Sequence, residues 1–243
     1  MDLSSNTVLI TGGSNGIGFA LAERFLKAGS EVIICGRREN KLKEVKDKYP
    51  KIHTFKCDTG NETERIELFS KVIEQYPSLN VLINNAGIQR KIDLTKEEDW
   101  KKTEEEILIN FNGYIHLSIL FIPHLLKQNN PAIMNVSSGL AFVPMASAPV
   151  YCATKAGVHS FTMSLRHQLA KTPLKVVEII PPAVDTDLGG AGLHKFGTPL
   201  NEFADDVISK LQKGDTEIAY GFAQSSSHAT REELEAIFKR MNG

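Results

Sequence analysis

The chain predicts one doubly wound α/β domain spanning residues 1–243, a parallel sheet with helices on both faces. Two patterns predict it. Short Val- and Ile-rich runs without polar alternation recur along the chain, and helix-length segments with apolar residues at helical spacing separate them. The length of 243 residues suits one large core.

Thr7–Thr11 is the first expected strand, and Ile17, Leu21 and Phe25 mark the helix that follows. Glu31–Cys35 and Ile52–Cys57 come next, then a helix carrying Ile66, Phe69 and Ile73 on one face. Asn80–Ile83, Ala132–Val136 and Lys175–Ile180 complete six strands, and Glu217–Tyr220 reads as an edge strand. Each strand–helix–strand unit is about 25 to 40 residues, long enough for a right-handed crossover. Residues 221–243 read as an extension with one short helix. There Thr230 and Glu233 form a capping box, and Leu234, Ile237, Phe238 and Met241 make a stripe that must be covered by the body or by a neighbouring subunit.

Composition excludes several classes. The 28 basic and 29 acidic side chains leave no electrostatic case for nucleic acid. The start has no signal-peptide pattern, and the apolar stretch Tyr114–Leu126 is too short to insert in a membrane. Cys35, Cys57 and Cys152 read as free thiols in a reducing cytoplasm, with Cys152 buried and structural. The seven histidines form no close ligand set, so no metal is expected. Glu104-Glu105-Glu106 reads as a solvated helix start.

The chemistry concentrates in three places. The first strand runs into Gly12-Gly13-Ser14-Asn15-Gly16-Ile17-Gly18 and a helix, where Gly16 and Gly18 let a pyrophosphate approach the backbone and the helix N-terminus offers N–H donors. After the second strand, Gly36 stands where an NAD-selecting acid is expected, and Arg37 and Arg38 follow. Two guanidinium groups favour NADP(H) over NAD(H). In the segment from Asn135, Ser138 follows the fifth strand, and Tyr151 and Lys155 are four apart on one helical face. A neighbouring ammonium, helped by an oxidised nicotinamide cation, is expected to bring the phenol down from near 10, so that Tyr151 exchanges a proton with a carbonyl or alcohol oxygen.

These motifs, with Asn84–Gly87 (NNAG) and Asn110, resemble the classical short-chain dehydrogenases/reductases over nearly all of residues 5–220. The resemblance implies a Rossmann-type fold and hydride transfer between NAD(P) and a substrate carbon. It makes Tyr151 the general acid/base, Ser138 the holder of the substrate oxygen, and Lys155 the ribose contact that lowers the phenol. Asn110 becomes support for a water relay to Lys155. It places Asp58 at the adenine, Asn85, Ala86 and Gly87 beneath the ribose, and Val184 and Thr186 near the nicotinamide amide. The thirteen residues from Ser138 to Tyr151 match the family and select Ser138 over Ser137. Pro182 stands where the family has glycine, which removes a backbone donor. EVIICGR, NNAGIQ and EIAYG bring the chain closest to the DltE-type short-chain oxidoreductases.

Gly139–Pro149 is apolar, as a hydrophobic substrate pocket or a packed loop would be, and Leu188–Pro199 is glycine-rich, as a lid or a disordered connection would be. Arg90, Lys91, His194 and Lys195 are candidates to attract an anionic substrate. Ala153, Ala156, Gly157 and Ser160 allow close helix approach, and the resemblance then implies a homodimer or homotetramer. The leading reading is a carbonyl/alcohol oxidoreductase. Its rival is a non-catalytic NAD(P) sensor, and a dehydratase or epimerase lacks the substrate domain it would need.

Overall fold

The apolar runs pair into one seven-stranded sheet in a computed structural model that describes residues 1–243. The strands are β1 (Thr7–Thr11), β2 (Glu31–Gly36), β3 (His53–Lys56), β4 (Val81–Asn84), β5 (Ala132–Val136), β6 (Lys175–Ile180) and β7 (Glu217–Ala219). Their order is β3-β2-β1-β4-β5-β6-β7 and every pair is parallel. Helices α1 (Gly16–Lys27), α2 (Glu39–Lys48), α3 (Glu62–Gln75), α4 (Trp100–Ile107) and α5 (Gly113–Leu125) connect the first strands. After them come α6 (Pro149–Gln168), α7 (Leu200–Lys213), α8 (Phe222–Ser227) and α9 (Arg231–Asn242).

Side chains of successive strand residues leave on opposite faces, and both faces are dry. Val8 and Ile10 join a core with Leu21 and Phe25 of α1 and Phe203 and Val207 of α7. Leu9, between them, joins the opposite core with Leu68 and Val72 of α3 and Leu117 and Phe121 of α5. Fully burying such a side chain contributes about 1.5–3 kcal/mol, which is why runs of only a few residues hold the sheet.

The chain winds outward from β1 to β3, then returns to lay β4 on the other side of β1. At that reversal the connections leave in opposite directions and a crevice opens at the strand C-termini. Thr11 ties its walls together: its hydroxyl accepts from the Asn85 and Ala86 N–H groups at 2.9 and 3.0 Å.

Three local expectations change. Residues 221–243 hold two helices, because Phe222–Ser227 also turns helical. The α9 capping box is present, yet no residue of α9 is fully buried, so its stripe is only partly covered. Trp100–Leu125 is a continuous helical run with a π-turn at Leu108–Asn112, 26 residues in all, and by length and composition alone it could cross a membrane. Its Leu117, Phe121 and Leu125 instead lie in the core beneath the sheet.

Candidate active site

A cavity of about 980 Å³ opens along the strand C-termini. One end is the turn after β1, where Gly12, Ser14, Asn15, Gly16 and Ile17 form the wall. Two kinds of glycine work here. A Cβ at Gly18 would lie 2.4 Å from the Asn85 side-chain nitrogen, and one at Gly12 would lie 2.9 Å from the Ala86 Cα. Gly16 has φ +54° with nothing closer than the Thr186 methyl at 3.5 Å, so its backbone faces open space. Gly18 therefore packs the turn against Asn85 and does not line the cavity, unlike the pyrophosphate approach expected of it. The Asn15 side chain makes no cap hydrogen bond, which leaves the first N–H groups of α1 unclaimed by it.

Arg37, Arg38, Asp58 and Thr59 continue the wall at the ends of β2 and β3. Asp58 accepts from the Gly60 N–H at 2.9 Å. Arg37 is not free: its Nη1 donates to Glu105 Oε1 at 2.5 Å, and Arg90 donates to the other Glu105 oxygen. Burial pushes the Glu105 carboxyl up, but the hydrogen bonds from Arg37 and Arg90 outweigh it and hold the group below its ordinary value.

Asn85, Ala86 and Gly87, from the turn after β4, line the cavity, as do Val184 and Thr186 after β6. Ser138, Tyr151 and Lys155 meet on the wall beyond. Ser138 stands at the end of β5 with its Oγ accepting from the Leu140 N–H at 3.1 Å. Its neighbour Ser137 is occupied elsewhere, donating at 2.6 Å to the buried Glu178, which also holds His159 at 2.9 Å. Pro182 also lines the cavity and brings no N–H to it.

Burial sets the electrostatics of the pair. Burial pushes the Tyr151 phenol well above its ordinary value, and the Ser138 hydroxyl pulls back only part of that. The Lys155 ammonium lies 5.8 Å from the Tyr151 ring centroid. It donates to the Val136 carbonyl at 2.7 Å and the Tyr114 hydroxyl at 3.3 Å. Burial lowers Lys155 to about 7. An ammonium that no anion faces loses its water without recompense, which is why burial lowers it.

Asn110 is fully buried within the π-turn and does not line the cavity. Its Oδ1 accepts from Ile88 N–H at 2.9 Å and its amide donates to Ile88 O at 2.8 Å, clamping the segment after β4. A π-turn redirects one helical residue inward, and such turns recur at functional sites.

The acidic run is also corrected. Glu106 is completely buried, and neither of its oxygens has a hydrogen-bond partner. Desolvation raises it to about 7. Sequence reasoning also missed Tyr114, and it missed Phe222 and Met241, which reach the cavity from α8 and α9. Tyr114 lies four residues after Asn110, a spacing that hinted at a shared face. Nothing in the pattern brought α8 or α9 to the site. Gly157 packs on its own chain, where a Cβ would lie 2.9 Å from the Phe111 ring. No group of three His, Cys, Asp or Glu side chains could hold a metal ion.

A seven-stranded parallel sheet with its cavity at the winding reversal defines a Rossmann-type α/β protein. Within that class, the short chain dehydrogenase family pattern matches residues 6–194, and the chain belongs to this family. It is 47% identical to the uncharacterised oxidoreductase DltE of Bacillus subtilis, over 100% of this chain and 98% of that protein. An uncharacterised oxidoreductase of Staphylococcus saprophyticus is 33% identical over 88% of this chain and 94% of its own. A short chain dehydrogenase from Burkholderia cenocepacia, solved in complex with NADP, superposes with a TM-score of 0.85 at 26% identity, covering 99% of both chains. The closer resemblance to the DltE type expected from EVIICGR and NNAGIQ is met, and the chain is an oxidoreductase of this family.

Proposed function

We propose that this protein interconverts a carbonyl and an alcohol by hydride transfer with NADP(H), using Tyr151 as general acid/base. The observation that carries the reading is the convergence of Ser138, Tyr151 and Lys155 on one wall of the cavity that begins at the glycine turn. The residues fit a dinucleotide: an open glycine backbone, uncapped N–H groups and two arginines stand in the order pyrophosphate and ribose would need. The NADP in the Burkholderia cenocepacia relative supports the choice of cofactor. When bound, the nicotinamide supplies or accepts the hydride.

In the reductive direction the Tyr151 O–H donates its proton to the substrate oxygen as that oxygen gains negative charge, while Ser138 holds the same oxygen. Burial suits this role because it keeps the phenol protonated. Oxidation needs the phenolate, which the Lys155 ammonium and an oxidised nicotinamide would favour. Leu140, Met145, Leu188, Phe196 and Met241 give the substrate side an apolar lining, so the substrate carries an apolar body. Three buried free thiols fit a reducing compartment, and we place the protein in the cytoplasm as a homo-oligomer.

Tyr151→Phe tests the assignment. The variant is expected to bind NADPH as the parent does and to lose turnover by about 10²–10⁴-fold on a carbonyl found by screening. Full activity would remove Tyr151 from the mechanism.

A further inference from the structure

Glu105 joins two parts of the cavity rim. Arg37 arrives from the end of β2 and Arg90 from the segment after β4, both line the cavity, and α4 presents one carboxylate between them. The bridge is asymmetric. Arg90 is anchored a second time, its Nη1 donating to the Lys102 carbonyl of α4 at 2.7 Å, and its side chain is 27% exposed. Arg37 is 45% exposed, and its guanidinium contact is Glu105. Arg90 is thus the buttress that holds Glu105, and Arg37 is the arm able to leave.

We propose that Glu105 determines cofactor specificity by acting as an internal anion that occupies Arg37, so that a phosphate on the cofactor ribose must displace it. This rests on reading Arg37 as the phosphate ligand. A guanidinium accepts a carboxylate or a phosphate through the same parallel N–H bonds, so binding is an exchange of partners and not a new contact. The displaced carboxylate stays close, because Arg90 retains it, and it then faces a dianion. A cofactor whose ribose carries only hydroxyls needs no exchange and meets no such repulsion. Glu105 therefore narrows the preference that Arg37 and Arg38 would otherwise impose.

Glu105→Gln isolates the charge. The amide keeps the length of the side chain and an acceptor for Arg37, and its 37% exposure makes the change tolerable for folding, which thermal unfolding checks. Equilibrium titrations with NADPH, NADH and 2′,5′-ADP compare the parent, E105Q, R37M and the double variant. E105Q is expected to bind NADPH and 2′,5′-ADP about three- to fivefold tighter, with NADH changed less than about twofold, and 0.5 M salt should shrink the gain. In the R37M background the same substitution should give a smaller gain for NADPH, because only the repulsion and not the competition for Arg37 is then removed. Equal shifts for NADPH and NADH, no shift, or weaker NADPH binding by E105Q would overturn the proposal. Tighter NADH than NADPH binding by the parent would overturn the NADP assignment alone, since E105Q would still improve NADPH. An R37M variant that binds NADPH like the parent would remove Arg37 as the phosphate ligand and overturn the proposal.

Discussion

Glu106 and Glu178 are both carboxylates with no exposed surface, yet they differ in how the fold treats them. Glu178 receives Ser137 and His159, whereas both Glu106 oxygens lack partners. Arg90, Glu105, Tyr151 and Cys152 are the charged and titratable groups that sense Glu106. Because the folded chain raises Glu106 to about 7 while an unfolded glutamate ionises near 4.3, only the folded state holds this proton between those values. Stability from this group therefore falls as pH rises through that window. Lys155 has the opposite slope: lowered to about 7 when folded and near 10.4 when unfolded, it makes stability rise with pH between those values. Glu106→Gln, a neutral copy of the protonated acid, should exceed the parent in urea unfolding, by little at pH 5 and by much more at pH 8. Parallel stabilities across that range would show that Glu106 is ionised in the folded protein already.

Among the elements, α9 is the one most dependent on its own cap. It buries no residue fully, and its ties to the body are Asn242 bonds to the Ala146 N–H at 2.6 Å and the Pro144 carbonyl at 3.1 Å. Those bonds grip the segment between Ser138 and Tyr151, and Met241 beside them lines the cavity. A lost N-cap costs about 1 kcal/mol, enough to fray a helix held so lightly. Thr230→Ala should speed hydrogen exchange across residues 231–242 and leave the midpoint of global unfolding nearly unchanged. An equal fall in global stability would mean that α9 is part of the main cooperative unit. The cap itself was legible because Thr230 and Glu233 meet through local geometry. The helix over Phe222–Ser227 was not, because serine has no strong helical preference and packing of Ala223 and Ser226 decides it.

For the molecule as a whole, α5 and α6 keep exposed residues, Ile119 at 59% on α5 and Met163 at 53% with Ala153 and Ser160 on α6. Our proposal of a homo-oligomer predicts at least twice the chain mass by light scattering at micromolar concentration, and a monomeric mass would refute it. The small residues on α6 do not all serve that purpose, since Gly157 makes room for Phe111 within the chain. The order of residues along this chain already settles the strands, the winding and the clustering of Gly12, Ser138, Tyr151 and Lys155. Dry strands need unbroken apolar runs, and parallel connections deliver the strand ends to one edge. Folding alone settles which charges meet. Arg37, Arg90 and Glu105 come from three separate segments, and Lys155 takes a backbone carbonyl in preference to its helical neighbour, since electrostatic partnership depends on distance and burial in space and leaves no periodic trace in sequence.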